Sequence, residues 1–299
     1  MKKLSRILIF IYIFTILITS SVYPVYAESQ AMENPSSSIA LDDNQNSFLG
    51  GVINNSFNIF TDPKCTSDIA KKIIAAINIK RQPIYPIKWI STKNSEISLT
   101  FDDGNDSKSI VRVLDAAKKY GVKCTFFVIG KCLTYYPELW KRAVEEGHHV
   151  CNHTQTHPML SSLSDQEVKN QITGWETTAK KILGEDYVSG MKLQYPYFRL
   201  PGGDGDSQKR IMKIVADLGY IPVGWSLETV SSILNHHDLK NEAPGPIAES
   251  VSRYVSSNTK KGMIVLMHLT VYDSLYIDST IKKILDRGLK IKDISEFIK

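Results

Sequence analysis

From Glu96 onward the chain alternates short apolar runs with longer stretches of helical spacing. Strand-like runs occur at 96–101, 124–129, 149–152, 197–200, 221–225, 263–267 and 289–292. Between them, apolar residues recur every three to four positions, the period of an amphipathic helix. Ile110, Leu114 and Ala117 share one face behind a cap at Asp106 or Ser107, and Gly121 stops the segment. Pro137 opens a second helix that Gly147 ends, and Ser164-Asp-Gln-Glu167 is a capping box before a third. Helices are also predicted over 208–218, 247–254 and 277–285. Strands that alternate with helices pair in parallel, and seven such units are countable.

The first 95 residues read differently. Met1-Lys2-Lys3-Leu4-Ser5-Arg6 is basic, residues 7–18 are strongly apolar, and Val25-Tyr26-Ala27 offers small residues where a signal peptidase cuts. Residues 1–27 are therefore expected to be a secretory signal, cleaved after Ala27. The alternative is an uncleaved membrane anchor, for which the apolar run is short and Pro24 interrupts its end. Residues 28–55 are rich in Ser, Asn, Gln, Asp and Glu, with too little apolar surface to form a core, and read as a tail or linker. Residues 56–95 read as a lead-in segment packing on the barrel. Ile69, Ile73, Ile74 and Ile77 have helical spacing there, and Pro83 and Pro86 break any regular structure beyond them.

Charge and cysteines change the picture modestly. The formal net charge of +5 includes Lys2, Lys3 and Arg6, so removing the signal leaves +2. No dense basic stripe with interleaved aromatics appears, which argues against nucleic acid as a partner. A monomer is expected, touching the membrane only transiently through the signal. Cys65, Cys124, Cys132 and Cys151 match no metal-binding spacing. In an exported protein they permit up to two disulfides, and Cys124 and Cys151, in apolar strands, are equally readable as buried thiols.

The chemistry gathers where the apolar runs end. Glu96-Ile-Ser-Leu-Thr-Phe101 runs into Asp102, Asp103 and Gly104, and the C-terminal ends of parallel barrel strands carry the active site. Side chains alternate along a strand, so Asp102 and Asp103 should do different jobs unless the strand end kinks. His153-Thr-Gln-Thr-His157 follows the third run. Two imidazoles four apart converge on a helical turn or a tight loop, and with a carboxylate they leave open positions on a divalent metal. Arg199 ends the fourth run, where it can hold Asp102 oriented and charged. Gly202 lets a backbone N–H approach a developing oxyanion. Trp225 is read either as a wall of a sugar cleft or as a core residue, and His268 closes the sixth run.

Together these residues resemble the polysaccharide deacetylases of carbohydrate esterase family 4. Thr100-Phe-Asp-Asp-Gly104 matches the family's first motif, His153-x-x-x-His157 the second, Arg199-Leu-Pro-Gly-Gly203 the third and Leu266-Met-His268 the fifth. The match spans 96–299. It implies an α/β, distorted (β/α)7-type barrel, here with an N-terminal signal peptide and polar tail. It further implies hydrolysis of N-acetyl groups from a secreted or cell-wall polysaccharide of peptidoglycan or chitin type. The alternatives are an O-acetyl esterase on xylan-like polymer and a glycan-binding protein on the same fold. By resemblance, Asp103, His153 and His157 hold the metal, most often zinc, with cobalt or manganese possible. Asp102 is then the general base on the attacking water, His268 the general acid and Arg199 the group that orients Asp102. Gly202 helps hold the oxyanion. The fourth motif departs from the family: Trp225-Ser-Leu-Glu-Thr-Val-Ser-Ser232 has no aspartate, so either Glu228 substitutes or the site is detuned. Asp204 and Asp206 add negative charge beside the cleft.

Overall fold

The computed structural model describes residues 85–296. The readings for 1–84, namely signal, tail, predicted helix and most of the lead-in, lie outside those residues. So does Cys65.

Eight parallel strands form one sheet, built from β1 (Glu96–Asp103), β2 (Thr125–Val128), β3 (His149–Asn152), β4 (Tyr197–Phe198), β5 (Ile221–Pro222), β6 (Leu227–Glu228), β7 (Ile264–His268) and β8 (Lys290–Ile291). Their order is β5-β4-β3-β2-β1-β7-β6, with β8 pairing the start of β1. The helices that return the chain are α1 (Ser107–Tyr120), α2 (Gly130–Leu133), α3 (Pro137–Glu145), α4 (Asp165–Leu183), α5 (Glu185–Gln194), α6 (Lys209–Asp217), α7 (Pro244–Asn258), α8 (Val271–Ser274) and α9 (Ile277–Asp286). The curled sheet with helices outside it is a distorted (β/α)7 barrel. Between the β5 edge and the start of β7 lies the chain at 86–90, where Ile87 bridges Val223 in parallel and Trp89 bridges Met263 antiparallel.

The predicted caps form by the expected chemistry. Asp106 accepts the Lys108 N–H at 3.0 Å ahead of α1, and the α4 box is complete, Ser164 and Glu167 each satisfying the other's backbone amide. Gly121 ends α1 in the left-handed conformation, φ 63°. Four elements absent from the sequence-based reading are α2, α5, α8 and β6. α5 has little amphipathic contrast, α2 and α8 are four residues long and β6 is two.

Strand parity sorts the core into two layers. Ile97, Leu99 and Phe101 pack outward with Phe126 and Val150 against the helices. Phe127, Cys151, Tyr197, Val223 and Ile264 form a separate cluster, on the opposite parity of their strands and so in the barrel interior. On β1 that interior parity falls on Ser98, Thr100 and Asp102, all buried. The alternation that faces apolar side chains to the helices thus delivers a carboxylate to the inside of the barrel mouth. Cys124, Cys132 and Cys151 are buried free thiols, and burial pushes Cys124 up to about 12 and Cys132 to about 11, as expected of inert packing residues.

Candidate active site

Sheet register brings the motifs to one level. Asp103 pairs with Val128, Val128 with Asn152 and Asn152 with Phe198, so His153 and Arg199 each lie one residue beyond this line. On the other side of β1, Asp102 pairs with His268.

Arg199 is fully buried and fixed on every side. Its Nη1 donates to Asp102 Oδ1 at 2.7 Å and to Thr100 Oγ1 at 2.8 Å. Nε reaches the Val223 carbonyl and Nη2 the Gly224 carbonyl, and the guanidinium carbon lies 4.0 Å from the Phe127 ring centroid and 5.8 Å from that of Trp225. Burial draws its pKa down, and the Asp102 carboxylate opposes that. A desolvated pair of this kind holds only with good geometry and further hydrogen bonds, both of which are present. Thr100, not identified from the sequence, shares the inward parity of Asp102.

The strand end does kink. Asp103 has φ 80°, a left-handed value that an aspartate tolerates better than most residues. The kink brings neighbouring carboxylates toward the same imidazole: His153 Nε2 is 3.5 Å from Asp102 Oδ2 and 3.9 Å from Asp103 Oδ1. Gly104 follows at φ 106°, where a Cβ would come within 2.5 Å of Trp140. Only a glycine fits there.

The segment 153–157 is a tight loop, the second of the two geometries that the spacing allows. Thr154 and His157 adopt φ 66° and 62°. Asn152 Oδ1 accepts the Thr154 N–H at 2.9 Å, Thr154 Oγ1 accepts the His157 N–H at 3.0 Å, and the Gly130 N–H is donated to the Thr154 carbonyl. His153 Nδ1 meets the Arg199 carbonyl at 2.9 Å, which leaves Nε2 facing the carboxylates. His157 Nε2 lies 3.7 Å from Asp103 Oδ1. Asp103, His153 and His157 offer ligand atoms all within 4.8 Å of one another. For ligands about 2.1 Å from a tetrahedral ion the separation is roughly 3.4 Å, so a small inward movement would close the set on a metal. Burial holds His153 toward its neutral, ligating form. Two imidazoles and one carboxylate also leave positions for water and substrate, so the donor set fits a catalytic metal.

The remaining predicted residues take these places. Gly202 is exposed, with φ 57°, beside Met159. Trp225 is half-buried, its ring against Gly203 and near Arg199. His268 is half-buried with Nδ1 turned inward. Glu228 does not stand in for a fourth-motif aspartate at Arg199, because its carboxylate accepts the Ser231 N–H at 3.1 Å and also the Ser231 hydroxyl, closing its own turn. Asp204 accepts the Ser161 N–H and Asp206 pairs with Lys88 at 2.8 Å, so both charges are engaged.

The sequence pattern of the family described as polysaccharide deacetylase matches residues 90–223. Two Bacillus cereus proteins named peptidoglycan-N-acetylglucosamine deacetylase are similar. One is 31% identical over 62% of this chain and 63% of its own length, and the other 30% over 73% and 95%. The chain therefore spans less than two thirds of the first. A solved structure described as a mutant of a carbohydrate esterase family 4 pseudoenzyme, with restored enzymatic activity, superposes with a TM-score of 0.60 at 25% identity, covering 74% of this chain and 73% of that one. With a relative matched over nearly its whole length and with this arrangement of strand-end residues, the chain belongs to the polysaccharide deacetylase family.

Proposed function

We propose that the protein is a metal-dependent hydrolase that removes N-acetyl groups from an extracellular or cell-wall polymer containing N-acetylglucosamine. The observation that carries this is the convergence of Asp103, His153 and His157 beside a second carboxylate locked to Arg199. The names of the Bacillus cereus relatives favour a peptidoglycan-type polymer. The basic and apolar order of residues 1–27 favours export.

Asp103, His153 and His157 hold the metal, zinc by its preference for imidazole and carboxylate, with cobalt or manganese able to replace it. When bound, the ion polarises the acetyl carbonyl and makes water a stronger acid. Asp102 accepts the proton of the attacking water, and the 2.7 Å contact with Arg199 holds the carboxylate in place. His268, the register partner of Asp102 on the neighbouring strand β7, delivers a proton to the departing amine as the carbon–nitrogen bond breaks. The exposed Gly202 amide steadies the developing oxyanion. The products are acetate and a free amino sugar.

Acetate release from peptidoglycan, chitin oligomers and acetylated xylan, each with and without a chelator, tests the reading. Release from the first two alone, lost on chelation and restored by zinc, is expected. Release from xylan alone would identify an O-acetyl esterase. Binding of glycan without release would leave a glycan-binding protein, the reading that the structural likeness to a pseudoenzyme and the altered fourth motif bring forward. The intact set of metal donors argues against it.

A further inference from the structure

Three buried polar atoms have no hydrogen-bond partner, Thr229 Oγ1, His268 Nδ1 and Asp273 Oδ1, and Asp273 lies near both His268 and Thr229. They come from three elements. Thr229 follows β6, which pairs with β7 at Leu227–Val265 and Glu228–Leu266, so it continues alongside the end of β7 where His268 sits. Asp273 lies on α8, five residues after His268. Thr270 caps that helix by accepting the Asp273 N–H at 3.4 Å, and its hydroxyl lies 3.2 Å from Asp273 Oδ2. One carboxylate oxygen is therefore anchored, and the other has no hydrogen-bond partner.

Burial raises the pKa of the Asp273 carboxyl, and the nearby His268 is the largest influence drawing it back down. Buried carboxylates are rarely left half-satisfied in a native structure, and one beside a buried imidazole nitrogen asks for a reason. The fourth motif does not provide that carboxylate, because Glu228 is closed onto Ser231.

We propose that Asp273 is a positioning residue for His268: a small rotation lets its Oδ1 receive the Nδ1–H of His268, with the Thr229 hydroxyl beside them, and so turns Nε2 to the open side of the site. An acceptor on the inner nitrogen fixes which tautomer the ring adopts and stabilises the imidazolium that delivers a proton. α8 thus supplies from after the fifth motif a carboxylate that the fourth motif lacks. This rests on the proposed function for its kinetic consequence, though not for the contact itself.

The full chain and its Asp273→Asn and Asp273→Glu variants test it by two readouts. In the zinc-loaded proteins acting on N-acetylglucosamine oligomers, Asp273→Asn should lower kcat by about 10²-fold. KM and zinc content should stay unchanged, and Asp273→Glu should recover part of the loss. Independently of activity, nitrogen-15 resonances of labelled histidine should place the proton of neutral His268 on Nδ1 in the wild type and shift it toward Nε2 in Asp273→Asn. An unchanged tautomer and kcat in a folded Asp273→Asn protein would overturn the proposal. If wild-type protein released no acetate, the function reading would fail while the tautomer measurement still decided the contact. Should Asp273→Asn fail to fold, Thr229→Val with the same spectra replaces it, with a smaller shift in the same direction expected and none overturning the proposal.

Discussion

Strand β3 begins at His149 and is followed directly by His153, so one short strand carries a histidine–aspartate pairing at each end. At the N-terminal end, His149 Nδ1 lies 3.4 Å from Asp293 Oδ1 and its ring stacks on Tyr195 with centroids 3.7 Å apart. Its neighbour His148 accepts the Cys124 N–H at 3.1 Å. Asp293 is meanwhile occupied by the Ser295 amide and hydroxyl. No second imidazole nitrogen and no second carboxylate converge there among the described residues. At the C-terminal end, by contrast, ring nitrogens from His153 and His157 face carboxylates from Asp102 and Asp103, and the backbone is bent to achieve it.

The difference lies in backbone conformation more than in residue type. Among the described residues, the non-glycine positions with positive φ are Asp103, Thr154 and His157, and all three are at the mouth. Each such conformation costs of order 1–3 kcal/mol, a cost that the Asn152, Thr154 and Gly130 hydrogen bonds help to offset. At the opposite end the same residue types sit in relaxed conformations and serve packing.

The largest expected effect comes from breaking the convergence. His157→Ala, at a half-exposed position, should remove metal binding and acetate release together. His149→Ala should leave both intact and cost about 1 kcal/mol through the lost stacking on Tyr195. Metal content by elemental analysis and melting by circular dichroism distinguish the two. If His149→Ala lost metal and His157→Ala kept it, the assignment of the two ends would be reversed.

A smaller effect sharpens the structural end. Burial depresses the His148 pKa to about 4, below its value in an unfolded chain, so the unfolded state binds more protons as pH falls from about 6.5. Stability contributed by neutral His148 is present above that pH and is lost between about 6.5 and 4, by about 3 kcal/mol in all. Denaturant midpoints measured across that window should fall in the wild type and fall less in His148→Gln.

Much of this was legible in the sequence because local rules suffice for it. Strand periodicity placed the carboxylates, glycines and caps ended the helices, and the spacing of His153 and His157 pointed to ligation. What stayed hidden depends on tertiary register. Thr100 beneath Arg199 looks like any strand threonine, and Asp273 is an acid in a short helix whose importance appears only once α8 folds back on His268. The kink at Asp103 could be posed from the sequence as an alternative but not decided. Glu228 misled because its proximity along the chain to Trp225 says nothing about where its carboxylate turns.

In the proposed function, adjacent acids on one strand end at the barrel mouth would divide the work, Asp103 to hold the metal and Asp102 to move a proton. Zinc titration by calorimetry, paired with kcat, on Asp102→Asn and Asp103→Asn tests that division most directly. Asp102→Asn should bind zinc with near wild-type stoichiometry while losing about 10²–10⁴-fold in kcat, and Asp103→Asn should lose the zinc itself. Wild-type turnover in Asp102→Asn, or full zinc binding in Asp103→Asn, would contradict it.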